Sequence, residues 1–581
     1  MTTQWKWVPF DENELSLGKA IHEKFHIHPV VGNILTRRGV SSIEEAQEFL
    51  YPRMEDLHDP FLMRDMQKAV ERLNKAVGTK ENILIYGDYD VDGTTAVALV
   101  YRMLRLYGVS PSQLFYYIPD RNNDGYGIST QGIDYANQHQ VKLIIALDCG
   151  IKANEEIQYA KDKGIDFIVC DHHTPDEELP NAVAVLDPKR KDNSYPFTEL
   201  SGCGIGFKLM QAFAINNNLR QSRLNSVLEL CAISIAADLV SVLGENRILA
   251  QYGLKQLNKN PSPALQGILK SSQTPLNRPI DFTDITFKIA PLLNASGRML
   301  SGMQTVELLL SPDVDSAIEL CHNIIKSNER RKKLDRLTTQ EALAMIEESQ
   351  LEKEDKLIAL YKPTWHKGVI GIVSSRLASK YARPVLILAG EDESISGSAR
   401  SDESFDIYTA IDQFKHLLVN FGGHPFAAGL TIKKENLPEF LESIRDYANE
   451  VIEKKRFVQE VTIDAEIKLP QLGWKLYNDM NRLGPFGPDN QRPVFLTKYL
   501  YDTGGSKVVG KESKHLMLDI TDASNRRYPY FVTIAFGKAG ENAYIKGGNP
   551  FSIAYTLQHN STHYRSKMQL LVKDIHRLER E

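Results

Sequence analysis

Four short runs that are apolar almost throughout constrain the fold more than any other feature of this sequence. They are ILIYG (83–87), VKLIIAL (141–147), DFIVC (166–170) and AVAVLD (182–187), and they are rich in residues that favour strands. Helical patterns such as TTAVALVYRMLRLYG (94–108) and NEEIQYAKDKG (154–164) lie between them. Because strands that are apolar throughout must be covered on both faces, the alternation predicts an α/β fold with a doubly wound parallel sheet.

The 581 residues are too many for one hydrophobic core, and the sequence divides into five segments. A helical, acidic segment (1–75), with a capping-box pattern at Ser42 and Glu45, precedes the sheet-forming domain (76–310). Connecting helices (311–352) with a highly charged centre lead to a second, smaller α/β domain (353–452). Short strands separated by turns (456–581) then predict a small β-barrel or sandwich.

Acidic and imidazole side chains directly follow three of the four apolar runs. DYDVDG supplies Asp88, Asp90 and Asp92, DCG supplies Asp148, and DHH supplies Asp171, His172 and His173. Because ligands of a doubly wound sheet bind beyond the carboxyl ends of its strands, we expect these side chains to meet at one edge. Carboxylates that lie so close repel one another unless cations neutralise them. This set of oxygen and nitrogen ligands suits Mn²⁺ or Mg²⁺.

Each motif alone has a simpler interpretation. DxDxDG could be a turn or a calcium loop, although Leu99 stands where an EF-hand requires glutamate. A single aspartate at a strand end is commonly a helix cap, and a histidine pair is commonly a hydrogen-bonded surface feature. Asp238 is a further candidate because CAISIAADLVSVLGENR (231–247) is almost wholly apolar up to it; there a charge must cap a helix, be paired or bind metal. The metal interpretation depends on the convergence of the motifs.

The distribution of charge favours a polyanion contact in the C-terminal segment. The net charge of the chain is −5, but residues 456–581 hold 18 basic and 13 acidic residues, a net of +5. Aromatic residues are interleaved with basic residues in this segment: Tyr499, Tyr501, Tyr528, Tyr530, Phe531 and Tyr555 with Lys507, Lys511, Lys514, Arg526 and Arg527. This combination is typical of single-strand binders, with barrel core as the alternative for any one aromatic residue.

Cysteine usage and hydropathy predict the compartment. The five cysteines are scattered and form no CxxC pair, which fits a reducing cytoplasm better than a disulfide framework or a zinc finger. No apolar run reaches the length of a membrane span, and the first residues lack the apolar core of a secretory signal. We therefore expect a cytoplasmic protein without a membrane contact.

Together these motifs resemble the DHH phosphoesterase superfamily. DYDVDG, DCG, DHH and the buried Asp238 are similar to its successive motifs, and GGHPFAAG (422–429) resembles the glycine-rich signature of the companion DHHA1 domain. SGSAR (396–400) and NASGRM (294–299) fit the same architecture. LGPFGPDNQRPVF (483–495) and VVGKESKHLMLDI (508–520) resemble an oligonucleotide-binding (OB) domain, which points to the bacterial single-strand-specific DNA exonucleases of this superfamily. Gln491 departs from the proline common at that turn.

The resemblance implies roles for individual residues. Asp90 and Asp148 would hold one divalent cation, supported by Asp88, and Asp92, Asp148, His172 and Asp238 would hold a second, with Asp148 bridging. His173 would face the scissile phosphate, and Asp171 would orient a histidine. The candidate substrate contacts are Arg298, Ser398, Arg400, Gly422, Gly423, His424, Lys511 and Lys514. For GGHPFAAG, a structural turn is the alternative to a phosphate loop.

The resemblance also implies an activity and partners. We expect 5′-to-3′ hydrolysis of single-stranded DNA to 5′-mononucleotides, in DNA repair and recombination, by a monomer. By family alone, a single-strand binding protein and a RecQ-type helicase are candidate partners. An oligoribonuclease or an inorganic pyrophosphatase would explain the metals equally well, but neither requires the basic C-terminal domain. A non-catalytic DNA scaffold is a third alternative, disfavoured because the candidate ligands are all present.

Overall fold

The computed structural model describes residues 3–120, 127–272, 278–299, 301–349, 355–391, 393–452, 459–522, 531–560 and 567–578. The chain divides into two compact units. The larger unit comprises Trp5–Asn323 and Val461–Glu581, and the smaller comprises Met1–Gln4 and Ile324–Glu460. Among the described residues, no helix combines the length and the apolar character that crossing a membrane requires.

The N-terminal segment packs with the C-terminal segment. Its elements are β1 (Thr3–Trp7), α1 (Glu12–Phe25), α2 (Pro29–Arg37), α3 (Ile43–Leu50) and α4 (Met66–Gly78). At α3 the Ser42 hydroxyl accepts the Glu45 amide, as the capping pattern predicts, but the Glu45 carboxylate accepts the amide of Ser41. Buried residues of α1 to α3, such as Ile21 and Val31, share one hydrophobic core with residues 465–575. The first and last segments of the chain therefore stabilise each other.

The predicted parallel sheet is confirmed. It is built from β2 (Asn82–Gly87), α5 (Val91–Leu106), β3 (Leu114–Tyr117), α6 (Thr130–Gln138), β4 (Val141–Leu147), α7 (Asn154–Asp162), β5 (Asp166–Cys170), β6 (Ala184–Leu186) and α8 (Gly202–Asn216). The strands are all parallel in the order β3-β2-β4-β5-β6. Because the chain leaves β2 first to one side and then to the other, the topological switch lies between β2 and β4. Ligands of such sheets bind at that crevice.

A helical layer completes this part of the larger unit. It contains α9 (Leu228–Asp238), α10 (Gly244–Lys259), α11 (Pro263–Ser271), α12 (Phe282–Asp284), a π-helical turn (Ile285–Ile289), α13 (Ala290–Met299) and α14 (Gly302–Leu309). The residues of α9 from Leu228 to Ala236 are all buried, because α9 packs against α5, α8 and α10. Its last residue is Asp238. The predicted connecting helices form one long helix, α15 (Val314–Ser349), which begins in the larger unit and ends in the smaller one.

The smaller unit is a second α/β layer structure. Its elements are β7 (Ile358–Tyr361), α16 (Lys367–Tyr381), β8 (Val385–Ala389), β9 (Ser394–Arg400), α17 (Ile407–Asp412), β10 (Leu418–His424), β11 (Ala427–Lys433) and α18 (Leu437–Val451). The sheet order is β10-β11-β9-β8-β7, with only β7 and β8 parallel. GGHPFAAG therefore forms an antiparallel hairpin, with its first three residues at the end of the edge strand β10.

The C-terminal segment is β-rich, as predicted. It contains β12 (Gln459–Ile463), β13 (Ala465–Glu466), α19 (Trp474–Asn481), β14 (Val494–Asp502), β15 (Lys507–Val509), β16 (His515–Leu518), β17 (Ile520–Thr521), β18 (Phe531–Ala535), α20 (Asn542–Lys546), β19 (Phe551–Asn560) and β20 (Lys567–Arg577). Apart from a small β1–β12 pair, these strands form one mixed sheet of OB type. Tyr555 is fully buried with its hydroxyl 2.9 Å from that of Thr497, so this tyrosine belongs to the core.

Candidate metal centre

Five carboxylates gather at the carboxyl edge of the parallel sheet. Asp88 follows β2, Asp90 and Asp92 open α5, Asp148 follows β4, and Asp238 ends α9; we call these five residues the acid cluster. Ligand atoms lie within 4.8 Å of one another in three groups: Asp88 with Asp90 and Asp148, Asp92 with His172 and Asp238, and Asp148 with His172 and His173. The structure thus brings together the strand-end side chains that the sequence motifs select.

The N-terminus of α5 fixes the first motif. The Asp90 carboxylate accepts hydrogen bonds from the backbone N–H groups of Asp92 (2.8 Å) and Gly93 (3.1 Å), so Asp90 also caps the N-terminus of α5. A Cβ on Gly93 would lie 2.4 Å from the carbonyl oxygen of Asp88. Glycine is therefore required for the helix to start this close to the strand end.

The N-terminus of α8 holds Asp92. Its two oxygens accept the backbone N–H groups of Gly202 (2.7 Å) and Cys203 (2.8 Å), and the Ser234 hydroxyl donates a third hydrogen bond of 2.7 Å. A Cβ on Gly202 would lie 2.6 Å from that of Asp148, so glycine lets the helix end reach the cluster. These donors hold Asp92 in an orientation that places its Oδ2 3.8 Å from His172 Nε2.

Asp148 adopts a backbone conformation that is uncommon for a residue with a side chain. Its φ is +61°, in the left-handed region, and its N–H donates to the carbonyl of Cys170 on the neighbouring strand β5 (2.9 Å). Such conformations persist where the surrounding structure determines them, and they concentrate at functional sites. The turn places the Asp148 carboxylate close both to Asp88 and Asp90 and to His172, which in turn lies close to Asp92 and Asp238.

His172 lies at the centre of the acidic groups. Its Nε2 is 3.1 Å from Asp148 Oδ1, 3.6 Å from Asp238 Oδ2 and 3.8 Å from Asp92 Oδ2. One ring nitrogen therefore approaches three carboxylates from three different elements. The contact with Asp148 has the length of a hydrogen bond, and a cation shared by the three carboxylates would be coordinated by the same atoms.

Asp171 and His173 form a separate pair beside the cluster. The buried Asp171 carboxylate accepts His173 Nδ1–H (2.6 Å) and the backbone N–H groups of His172 (2.8 Å) and Ile151 (2.9 Å). Although burial opposes it, the charge of His173 lowers the pKa of Asp171. Burial also opposes the charged imidazole, but Asp171 raises the pKa of His173 to about 9. His173 is therefore a cation at neutral pH, oriented by Asp171.

Electrostatics shows that the acid cluster suits a divalent cation. Burial and then the charge of Asp92 raise the pKa of Asp148 well above its usual range, and burial and then Asp90 raise that of Asp92 to about 6. Burial followed by Asp92 likewise raises the pKa of Asp238. Several buried carboxylates that oppose one another's ionisation require positive charge, and carboxylate oxygens with one imidazole nitrogen are the ligands of Mn²⁺ and Mg²⁺. The residues present fit such ions.

The predicted phosphate contacts of the smaller unit lie on two strands of one sheet, β9 and β10, with β11 between them. Ser398 and Arg400 are on β9, where Arg400 donates to the Ser398 hydroxyl (3.2 Å). Gly422, Gly423 and His424 end the exposed strand β10. Gly423 has φ +143°, and a Cβ there would lie 2.3 Å from the Ala427 carbonyl oxygen, so the hairpin requires glycine. The side chain of Arg298 lies outside the described residues.

The predicted contacts of the C-terminal segment are exposed. Lys511 and Lys514 lie in the turn between β15 and β16, and Lys514 pairs with Glu512 at 2.5 Å. Tyr499 is 54% exposed. The predictions for Tyr528, Tyr530, Arg526 and Arg527 fall outside the described residues.

The sequence motifs did not select the acid that ends the fourth apolar run, at β6. Asp187 directly follows β6, is fully buried, and accepts the backbone N–H of Lys189 (2.7 Å). Burial raises the pKa of Asp187 to about 7. The same strand-end rule that selected Asp148 would have found it, because AVAVLD ends in this residue. Ser234 carried no sequence signal, since only the packing of α9 brings its hydroxyl to Asp92.

Comparison with known families matches three parts of the chain. The DHH family N-terminal domain matches residues 82–235, the DHHA1 domain residues 354–450, and the RecJ OB domain residues 463–574. The single-stranded-DNA-specific exonuclease RecJ of Bacillus subtilis is 34% identical over 560 residues, which cover 96% of this chain and 69% of that protein.

Two solved structures are similar over much of the chain. RecJ from Thermus thermophilus in complex with Mn²⁺ has a TM-score of 0.83 at 24% identity, covering 99% of this chain and 80% of that one, and shares the fold. An exonuclease RecJ bound to manganese has a TM-score of 0.58 at 28% identity, covering 67% of this chain and 95% of that one. The order of domains is thus the same as in known proteins.

Proposed function

The chain belongs to the RecJ family of single-stranded-DNA-specific exonucleases, and on that premise we propose that it degrades single-stranded DNA from the 5′ end to 5′-mononucleotides. The observation that carries the proposal is the convergence of the acid cluster and His172 at the switch point of the sheet. The direction of cleavage and the nature of the product come from the family alone.

We assign the ligands of two divalent cations, Mn²⁺ or Mg²⁺, from the groups of neighbouring side chains. Asp88, Asp90 and Asp148 would hold one ion, and Asp92, His172 and Asp238 the other, with Asp148 shared. When bound, the ions supply a water activated for in-line attack and stabilise the leaving oxygen. Asp92 is pre-oriented for this role by α8 and Ser234, so little rearrangement is required on binding.

His173 and Asp171 act on the substrate rather than on the ions. With its pKa raised to about 9, His173 presents an N–H donor to the phosphoryl oxygens of the scissile group at neutral pH. Asp171 fixes the ring through Nδ1, which leaves Nε2 to donate. No serine or cysteine nucleophile is needed, because water is the attacking group.

The other domains would bind the strand. We assign residues 76–310 as the catalytic domain, 353–452 as a phosphate-binding domain and 456–581 as a single-strand-binding domain, with 1–75 and 311–352 as supporting segments. Exposed glycine backbone at Gly422 and Gly423, beside His424, fits contact with phosphate, as do Ser398 and Arg400. Arg298 is assigned by resemblance only. Exposed Lys511 and Lys514 fit a basic path for the strand.

The cellular setting is proposed on the same premise. We infer a cytoplasmic monomer that acts in DNA repair and recombination, with a single-strand binding protein and a RecQ-type helicase as partners. All five cysteines are buried free thiols, which fits a reducing compartment.

The proposal is tested with single-stranded oligonucleotides labelled at the 5′ or the 3′ end, incubated with Mn²⁺ and with or without EDTA. We expect immediate release of the 5′ label as mononucleotide, late release of the 3′ label, no reaction in EDTA, and little reaction on duplex. First release of the 3′ label would contradict the direction. Binding without any release would favour the non-catalytic scaffold.

Two further substrates separate the remaining alternatives. Inorganic pyrophosphate tests for a pyrophosphatase, and RNA dinucleotides test for an oligoribonuclease. Turnover of either at a higher kcat/KM than a long DNA strand would overturn the proposed substrate, because the basic C-terminal segment would then serve no purpose.

A further inference from the structure

Lys189 is a cation beside the acid cluster that the assigned chemistry does not use. It lies half-buried in the loop after β6. Among the described residues, its ammonium group forms no hydrogen bond and no ion pair, whereas Lys152 and Lys163 have carboxylates at 2.8 and 3.3 Å. A half-buried ammonium group without a close partner is costly unless an anion comes to it.

The register of the sheet places Lys189 at the edge that holds the catalytic groups. β5 and β6 are parallel, with Cys170 level with Leu186, and the N–H of Asp171 donates to the Leu186 carbonyl (3.0 Å). Asp187 thus follows its strand beside Asp171. Lys189 comes two residues later, as His173 comes two residues after Asp171.

The start of the loop is fixed rather than free. The backbone N–H of Lys189 donates to Asp187 Oδ1 (2.7 Å), and Pro188 between them restricts the backbone. Further along, the Arg190 side chain donates to the Val185 carbonyl (2.6 Å) and to Asp65 (2.8 Å). Lys189 therefore projects from a loop that is anchored on both sides.

Electrostatics supports the same placement. The charge of Lys189 is among the influences that lower the pKa of Asp238, after burial and the neighbouring acids have raised it. It also lowers the pKa of Asp187, which burial raises. The ammonium group is thus close enough to Asp238 to affect its ionisation, but among the described residues the two side chains form no ion pair.

We propose that Lys189 binds a phosphate of the single strand at the edge of the metal centre, beside His173. This inference rests on the proposed function, because a DNA strand is the anion which that function brings to this edge. A lysine on a fixed loop supplies a point charge that neutralises one phosphate and holds the backbone in register with the acid cluster. Lys189 is thus a positioning residue for the strand.

A simpler role is compensation of the charge on Asp238 and Asp187. The two roles predict different results for the same variant. A lysine that binds phosphate controls affinity for DNA and its dependence on salt, whereas a compensating lysine controls stability and the requirement for metal.

The test compares Lys189→Met with Lys191→Met, a matched change at an exposed lysine two residues further along the same loop. Affinity for a 20-residue oligothymidylate is measured by fluorescence anisotropy, with Ca²⁺ replacing Mn²⁺ and absence of turnover verified, at several salt concentrations. We expect Lys189→Met to weaken binding about tenfold and to reduce the slope of log Kd against log salt by about 0.7. Lys189→Arg should keep the slope, and Lys191→Met should leave it unchanged.

A second measurement locates the contact. Single phosphates near the 5′ end are replaced one at a time by uncharged methylphosphonates. At one position the loss caused by Lys189→Met should disappear, because the variant and the substitution remove the same interaction. If affinity and salt slope are unchanged in Lys189→Met, or if no position couples, Lys189 only balances acidic charge and the proposal is wrong. Because binding is scored without cleavage, absence of exonuclease activity in the wild type would refute the proposed function separately.

Discussion

Two buried groups of charges in the larger unit are built on opposite principles. In one, Lys208 and Glu245 are fully buried and paired at 2.6 Å. The Glu245 carboxylate also accepts hydrogen bonds from the Tyr195 hydroxyl (2.6 Å) and the backbone N–H of His58 (3.0 Å), and Lys208 donates to the backbone carbonyl of His58 (2.8 Å). In the acid cluster, five carboxylates face one another. In the first group the two charges cancel and both side chains have hydrogen-bond partners, whereas the acid cluster requires positive charge from a bound cation.

Helix α8 contributes to both groups. Its first N–H groups bind Asp92, and Lys208 lies six residues after Gly202, about 9 Å along the helix axis. The same element therefore anchors a structural ion pair and orients a candidate metal ligand. Burial of charge therefore does not by itself identify a functional site, whereas a buried group of like charges without internal compensation is typical of one. Removing charge should therefore have opposite effects in the two groups.

The largest effect is expected at Asp148. Asp148→Asn should lower kcat on single-stranded DNA by at least about 10³-fold, because the shared ligand of both ions is lost. Without divalent cations, its free energy of unfolding should equal or exceed that of the wild type, since one of several repelling carboxylates is gone. Initial rates and chemical denaturation in EDTA check the two parts.

A control for Asp148→Asn is a carboxylate buried elsewhere in the same domain. Glu229 lies at the start of α9, fully buried, and pairs with Arg102 at 3.5 Å. Glu229→Gln should keep kcat while lowering stability. Comparable turnover by Asp148→Asn and the wild type would mean that the acid cluster is not catalytic.

The next effect concerns the neutral pair. Lys208→Met should lower the free energy of unfolding by about 3–5 kcal/mol, because it leaves the Glu245 charge buried without a partner. Adding Glu245→Gln should recover part of the loss, since glutamine keeps an oxygen for Tyr195 and the His58 N–H. Denaturant titration measures both variants. If Lys208→Met alone were as stable as the wild type, the contrast between the two groups of charges would be wrong.

A smaller effect is expected from metal binding. Mn²⁺ at about 100 times its Kd should stabilise the wild type by about 2.7 kcal/mol, since the folded state alone presents the assembled cluster. Asp238→Asn should lose much of this stabilisation, and Lys208→Met should retain it from a lower starting point. Thermal unfolding with and without Mn²⁺ makes the comparison. Equal stabilisation of wild type and Asp238→Asn would exclude Asp238 as a ligand.

Strand-end chemistry was largely predictable from the sequence, because it is local. An apolar run followed by an acid predicts both a strand and the edge of the sheet at which the acid lies. The parallel sheet and the grouping of Asp88, Asp148 and His172 could therefore be predicted from the sequence. Asp187 obeys the same rule, because the apolar run AVAVLD ends in this acid. The family resemblance selected the order of the domains.

Contacts between distant segments were not predictable. Nothing near Ser234 indicates that its hydroxyl reaches Asp92, since the two residues are 142 positions apart. Likewise, the N-terminal helices showed no sign of sharing a core with residues 465–575. Such contacts arise from packing of complementary apolar faces, which hydrophobic periodicity predicts as faces but not as partners.

The shared core also determines how the C-terminal segment should be tested, and it yields the smallest predicted effect. Deleting residues 456–581 would expose the buried faces of α1 to α3, so loss of binding could reflect unfolding.

The double variant Lys511→Ala with Lys514→Ala avoids unfolding, because both side chains are exposed. The Lys514–Glu512 pair is also exposed and hence weak, unlike Lys208–Glu245, so Lys514 can exchange Glu512 for phosphate at little cost. We expect the double variant to weaken binding of long strands about threefold to tenfold and to reduce the salt slope by up to about 1.4, with stability unchanged. Lys24→Ala, an exposed change on α1, is the control. An unchanged slope would place the polyanion contacts outside this turn.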